Sequence, residues 1–486
     1  MGYKHGVYSY EPSDGSSSLI SPITATAGLK VVVGTAPINL AKSTEYVNKP
    51  FLAKNFNEAV EALGYSYDWD HYTLCEDMDA SFRLYGIGPV VFINVLDPSI
   101  HKTEEKKEIN IINKKAAIED KGILLDSLSV KLAEIDEQPL VKGKDYTASF
   151  DEIGQVIIAA IPGGAIPANQ TTFSTSYTRL DPSMVTDTDI IGGIDVNTGA
   201  ASGLELINSV FPIFGLVPGQ VLAPGFSENP TVAAIMKAKA NNINSFFKAM
   251  SVEDVDSGEA NIYTKVADWK TKNQYNSSNE IPCWPKVALN DKVYHLSTHA
   301  SCAMALVDSQ NDDMPFVSPS NKPIHINKTV LKDGREVNLG PEQANYLNGQ
   351  GILTALNFIG GWKAWGNRTG AYPENTNVKD SFIPVRRMHN WISNSIILTT
   401  WEKVDDPTNN TLIDTVVDSL NMWLNGLVST GALLGGRVEF RQDENPITDL
   451  LNGTVRFHVF LAEPTPGENF EFIVEFDATY YNRLFQ

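Results

Sequence analysis

The chain has 486 residues, 42% of them hydrophobic, with a formal charge of −20 and an isoelectric point near 4.8. That length and core-forming content predict two to four domains, and the acidity excludes direct nucleic-acid binding, which needs clustered Lys and Arg. Cys75, Cys283 and Cys302 are odd in number and far apart, which excludes a disulfide framework or a CxxC pair. No signal-peptide core or membrane-length apolar run is found, so a chain folded in a cytosol is expected, with no membrane partner.

In chain order, residues 3–8 (YKHGVY) read as a short strand with Tyr3, His5 and Val7 on one side. Residues 9–28, rich in Ser, Pro, Gly and Thr, read as an extended linker. A buried strand follows at 29–34 (LKVVVG). Phe56, Ala59, Val60 and Leu63 at helical spacing predict a helix at 55–63, and a second is expected at 72–85. Residues 89–96 (PVVFINVL) form the next buried strand, and this order predicts α/β layering. The stretch 101–115 is polar and charged. Beyond it, strands at 130–132, 146–150 and 155–161, separated by Gly-containing turns, predict a small all-β insertion.

From 186 the α/β rhythm returns, with helices at 201–210, 230–242, 259–272 and 298–308 and strands at 220–223, 245–250 and 283–289. Residues 311–349, dominated by Pro, Asn and Gly, read as loop. An amphipathic helix spans 412–428, with Ile413, Val416, Val417, Leu420, Leu424 and Leu427 on one face. No Lys or Arg occurs between 404 and 436, and Asp414 and Asp418 are its exposed acids. Alternating segments at 453–462 (GTVRFHVFLA) and 469–477 (NFEFIVEFD) close the chain as strands. Phe470, Phe472, Val474 and Phe476 lie on one side of the last.

Candidate chemistry is sparse. His295, His299 and Cys302 have spacing that could bring three zinc ligands onto one helical face, but Leu296 stands where a metalloprotease helix needs Glu. Packed or capping histidines are the simpler reading. Asp187-Thr188-Asp189 with Gly192 misses two calcium-loop positions, filled by Ile191 and Thr198. Gly86-Ile87-Gly88, Gly163-Gly164, Gly192-Gly193 and Gly349-Gln350-Gly351 complete no phosphate-binding motif. No GxSxG, HExxH or CxxC occurs. No catalytic, cofactor-binding or metal site is assigned, and no cofactor is expected.

The positive signal is the strand pattern at both ends. An unpaired strand is a template for another chain, because main-chain hydrogen bonds give affinity and alternate side chains give specificity. On periodicity alone, the simpler account is that both ends complete the chain's own sheet.

Several motifs add to this. Gly366-Asn367-Arg368-Thr369 is followed by Ala371-Tyr372-Pro373 and by Phe382-Ile383-Pro384-Val385-Arg386-Arg387. Then come Trp423-Leu424-Asn425-Gly426-Leu427, Gly435-Gly436-Arg437-Val438-Glu439-Phe440, Asn445-Pro446 and Asp449-Leu450. Phe457-His458-Val459-Phe460-Leu461 and Glu475-Phe476-Asp477 end the series. With Gly34-Thr35-Ala36-Pro37 and residues 89–98, this set resembles the sheath proteins of contractile phage tails and of phage-tail-like bacteriocins. The likeness covers both ends well and the middle poorly.

The resemblance implies a non-enzymatic structural subunit that polymerises as stacked rings or a multistart helix around a tail tube. Such a sheath contracts on a baseplate signal and drives the tube through a cell envelope. Implied partners are further copies, the tube protein, and baseplate and tail-terminator proteins; the implied location is a virion tail or phage-tail-like particle, assembled in the bacterial cytoplasm. The expected fold class is a multidomain α/β (α+β) chain with an inner α/β domain built from both chain ends. The expected divisions are an N-terminal arm and linker (1–27), the first part of the α/β body (28–100), an all-β insertion (101–185), an α/β domain (186–360), a tube-facing inner domain (361–464) and a C-terminal arm (465–486). Tyr3, His5, Val7, Phe470, Phe472, Val474 and Phe476 would join neighbouring subunits, and Asp414 and Asp418 would face the tube. The rivals are another self-assembling shell or surface-layer protein and a cytosolic α/β enzyme.

Overall fold

The structure, a computed structural model, describes residues 20–135 and 138–485. At its centre is a six-stranded sheet. In chain order its strands are β1 (Lys30–Gly34), β2 (Pro50–Ala53), β3 (Val90–Asn94), then Gln220–Leu222, Met250–Asp254 and Glu280–Cys283. Five are parallel in spatial order 280–283, 250–254, 220–222, β1, β3, and β2 closes one edge antiparallel to β3. These five are buried from end to end, as a parallel sheet covered on both faces requires, which explains the apolar runs of Lys30–Gly34 and Val90–Asn94.

Alternation along the strands separates two cores. Val32, Phe92, Leu222, Val252 and Ile281 face one side, packed with Leu74 and Met78 of helix Thr73–Met78 and Ala303 and Met304 of helix Leu296–Ser309. Val31, Val33, Val91, Ile93 and Val221 face the other. There they meet Ile207 and Val210 of helix Ile207–Phe214, Val232 and Met236 of Pro230–Ala240, and Met388, Trp391 and Ile392 of Ile383–Thr400. Each of the Val, Leu, Ile, Phe and Met side chains among these contributes about 1.5–3 kcal/mol on burial. Helix Phe56–Leu63 starts on Asn55, whose side chain accepts from the Glu58 N–H, and ends at Gly64 with φ 77°. Only glycine fits there, because a Cβ would collide with the Pro37 carbonyl oxygen.

Between β3 and the next body strand the chain makes two three-stranded antiparallel sheets. One pairs Lys102–Asn110 with Thr172–Leu180 and Ser129–Lys131; the other is formed by Lys115–Ile118, Val156–Ala160 and Tyr146–Phe150. They share a separate core that includes Ile118, Val130, Ile158 and Phe173. Lys102 pairs with Leu180, so the chain leaves and rejoins the body side by side.

Several expectations are corrected. The strand expected at 245–250 lies at Met250–Asp254, because Ile243–Phe247 close a tight turn with Asn244 and Ser245 at positive φ. The helix expected at 201–210 is a 3-10 turn, Gly203–Leu206, running into Ile207–Phe214. The charged stretch 101–115 holds strand Lys102–Asn110, an edge strand whose Lys and Glu residues face solvent. The region read as loop contains strand Lys328–Val330 and helix Pro341–Asn348. Of the segment 453–462 only His458–Ala462 is a strand, and 469–477 pairs with no strand among the described residues.

Candidate assembly surface at the C-terminus

Helix Asn410–Ser429 is capped by Asn409, whose side chain accepts from the Leu412 N–H at 2.9 Å. Its buried residues Val416, Leu420, Leu424 and Leu427 join the second body core, with half-buried Leu412 and Val417 packed against it. Asp414 and Asp418 lie on the outward side, exposed as expected. The helix carries an antiparallel hairpin of Gly435–Glu439 and His458–Ala462, in register from Gly435 opposite Ala462 to Glu439 opposite His458. Asn421 fixes it: its side chain accepts from the Val438 N–H at 2.8 Å and donates to the Val438 carbonyl at 3.0 Å. Arg437 stacks over Phe460 at 3.8 Å, and His458 stacks on the same ring at 4.2 Å. This sheet has two strands only; on the Gly435–Glu439 side Asn421 occupies the Val438 backbone groups, and on the His458–Ala462 side the edge has no strand partner among the described residues.

The chain then crosses a groove of about 830 Å³, lined by Phe316, Trp365, Tyr372 and residues 464–470. Beyond it, Phe470, Phe472, Val474 and Phe476 are 75–91% exposed. The hydrogen bonds of 469–485 to described residues stay within that segment, as in Asn469 to Glu471 and Thr479 to Asp477. The expected alternation is therefore present in sequence and unmatched by any described strand of the chain's own sheets. Tyr3, His5 and Val7 lie outside the described residues. Of the linker read at 9–28, the described part is not free. The Ile23 and Ala25 N–H groups donate to Thr399 and Ser395 at 2.9 Å, the Trp391 indole donates to the Ala25 carbonyl at 2.7 Å, and the Ile20 N–H reaches Ser419 at 2.9 Å.

The histidine and cysteine residues with ligand-like spacing diverge. His295 precedes helix Leu296–Ser309, and its Nδ1 lies 2.8 Å from Glu76. Burial and Lys286 oppose the imidazolium, but Glu76 and Asp254 outweigh them and raise its pKa; burial pushes Glu76 up, yet His295 holds it low overall. His299 instead meets the Tyr85 hydroxyl at 2.9 Å, and burial lowers its pKa to about 3, so it is neutral. Cys302 sits 3.2 Å from the Lys30 ammonium, which is ion-paired with Asp77 at 2.7 Å, all fully buried. These are core ion pairs and hydrogen bonds. Among the described residues no group of three or more His, Cys, Asp or Glu is placed to hold a metal, and no helix is long and apolar enough to cross a membrane. Asp187 and Asp189 begin a short helix, with Asp189 accepting from the Thr186 N–H in a capping box.

No family model matches the chain. It is 27% identical over 499 aligned residues to the tail sheath protein of Burkholderia phage BcepMu, covering 98% of each chain. It is 25% identical over 290 residues to a putative prophage major tail sheath protein of Pseudomonas aeruginosa, covering 59% of this chain and 72% of the relative. In three dimensions it shares its fold with the contracted helical sheath of the anti-feeding prophage, with a TM-score of 0.57, 15% identity and coverage of 97% and 98%. The contracted sheath of the extracellular contractile injection system PVC gives 0.53 at 13% identity, covering 99% of both chains. Along nearly its whole length, the chain is a homologue of a phage tail sheath protein.

Proposed function

We propose that this chain is the structural subunit of a contractile tail sheath, polymerising with copies of itself around a tail tube through strands lent between subunits. The single observation that carries the strand exchange is the pairing of opposites at the C-terminus. An alternating apolar segment, 469–477, has no strand partner among the described residues, and the two-stranded sheet just upstream has on its His458–Ala462 side an edge with no strand partner among them. Strand addition would satisfy both at once, burying Phe470, Phe472, Val474 and Phe476 and the hairpin's edge groups. The N-terminal arm, 1–27, would act likewise from the face where Ile20 meets Ser419. Within this reading the outward β-rich part is 101–185, the body comprises 28–100 and 186–360, and 361–464 faces the tube, with Asp414 and Asp418 on the exposed side of their helix. Baseplate and terminator proteins would bind the ends of the polymer. The particle, phage or phage-like, would assemble in the bacterial cytoplasm.

Contraction requires subunits to move while staying connected. Contacts between bodies can exchange while paired backbone strands persist, so a difference of a few kcal/mol per subunit, summed over the polymer, does mechanical work. Deleting 468–486 tests the reading. The truncated chain is expected to remain a folded monomer, with unchanged melting, that forms no cylinders by electron microscopy. Normal cylinders from the truncated chain would sink the arm proposal.

A further inference from the structure

Between the hairpin and the unpaired segment 469–477 runs Pro464-Thr465-Pro466-Gly467. In the structure both of its ends are fastened. Before it, the half-buried His389 ring lies with Nδ1 3.0 Å from Oε1 of Glu463, a side chain only 7% exposed. After it, Arg368 Nη2 donates to Glu468 Oε2 at 2.6 Å. The Arg368 guanidinium is itself held in place, lying 3.7 Å over the Phe382 ring and 4.5 Å from that of Tyr372, with Nη1 donating to Ser381 Oγ at 3.2 Å. Such stacking and hydrogen bonding leave little rotamer freedom for Glu468 to overcome, so this pair exceeds an ordinary surface ion pair in order. Two prolines, each with φ fixed, stiffen the strap between the fastenings. Beyond Glu468 the hydrogen bonds and ring contacts among the described residues are internal to the arm.

We infer that Arg368 is a positioning residue that sets the free length of the C-terminal arm, clasping Glu468 so that the pivot lies at Asn469 and, when the clasp opens, shifts back to Pro464. This rests on the reading of 469–477 as a lent strand. Closed, the clasp fixes the origin and direction of the arm, which reduces the conformational entropy lost when a neighbour captures it. Open, it frees residues 464–468, adding up to about 17 Å of reach at about 3.3 Å per residue. A sheath subunit that rotates against its neighbour while staying connected needs two tether lengths of this kind.

The three native cysteines are buried, so introduced surface cysteines can be spin-labelled selectively. A pair at Lys322→Cys, beside the groove, and Glu471→Cys, on the arm, reports the tether by pulsed electron resonance in the full chain. The parent pair is expected to give one narrow distance distribution. Glu468→Gln and Arg368→Gln should each broaden it and extend it to longer distances, with unchanged monomer melting. Assembly from monomers should slow by about two- to fivefold, the range of a single ordered ion pair. Should Arg368→Gln fold poorly through loss of stacking, Glu468→Gln, on an exposed side chain, decides alone. Distributions identical to the parent's in Glu468→Gln would overturn the clasp, whatever happens to assembly. If instead the 468–486 deletion still polymerises, the strand-lending reading fails, and the distance measurement still reports whether the clasp exists.

Discussion

The α/β body and the C-terminal arm treat their polar and apolar groups in opposite ways. In the body, charges are buried and answered: Lys30 by Asp77, Arg387 by Asp308, and His295 by Glu76, each pair joining elements distant in sequence. In the arm, apolar side chains are exposed and unanswered, from Phe470 to Phe485. A buried ion pair gives weak net stability compared with an apolar replacement, but removing one partner is costly because the other stays buried and charged. An exposed aromatic strand contributes almost nothing to the fold of its own chain. The body is thus built to hold one arrangement of its elements, and the arm is incomplete until another surface covers it.

The sharpest way to break the comparison is at the centre of the body. Asp77→Ala would leave the fully buried Lys30 ammonium with Ser81 and Cys302 alone, and should cost about 3–5 kcal/mol in urea unfolding. A loss below about 1 kcal/mol would show that the pair does not organise the body. Next in size is a matched pair of truncations. Leu424→Ala, in the fully buried stripe beneath the hairpin, should lower stability by about 2–5 kcal/mol. Phe472→Ala in the arm should stay within about 0.5 kcal/mol of the parent while impairing cylinder formation. Equal stability losses at the two positions would mean that the arm packs on its own body.

The smallest effect concerns pH. Glu253 and Glu280 are fully buried on adjacent strands, close enough for their carboxyl groups to interact. Burial first, and then the neighbouring Glu280, raise the Glu253 pKa well above the carboxylate range, against the opposing pull of Ser251 and Lys237. Since the folded-state pKa exceeds the unfolded one, the stabilisation is complete below the ordinary carboxylate pKa and is lost as pH rises through the folded value. Melting temperature should therefore fall on the alkaline side, and Glu253→Gln, which imitates the protonated acid, should flatten that slope. Parallel pH profiles for parent and variant would refute the assignment of that slope to Glu253.

Strands with continuous β-branched runs, such as Lys30–Gly34 and Val90–Asn94, are legible in the sequence because a parallel sheet buried on both faces demands that composition. The helix Asn410–Ser429 is legible because one face is apolar and the other wet. Helix Ile383–Thr400 is hidden because Arg386, Arg387, Asn390 and Asn394 occupy its buried side and blur the helical period. Lys102–Asn110 is hidden because an edge strand can be made almost wholly of charged residues. For the candidate surface, the alternation of Phe470, Phe472, Val474 and Phe476 can be read directly, whereas the fastenings at Glu463 and Glu468 cannot. Their partners, His389 and Arg368, are 74 and 100 residues away.

By itself, the sequence determined the local alphabet of this protein: which runs extend, which coil into helices, and that its last segment is patterned for a strand. Periodicity follows from backbone geometry and needs no partner to be visible. Only the tertiary structure decided that this last segment is left without a partner among the described strands of its own chain, and that the proline-rich strap before it is tied down. Pairing and fastening depend on distant residues brought together, and no local pattern encodes that distance.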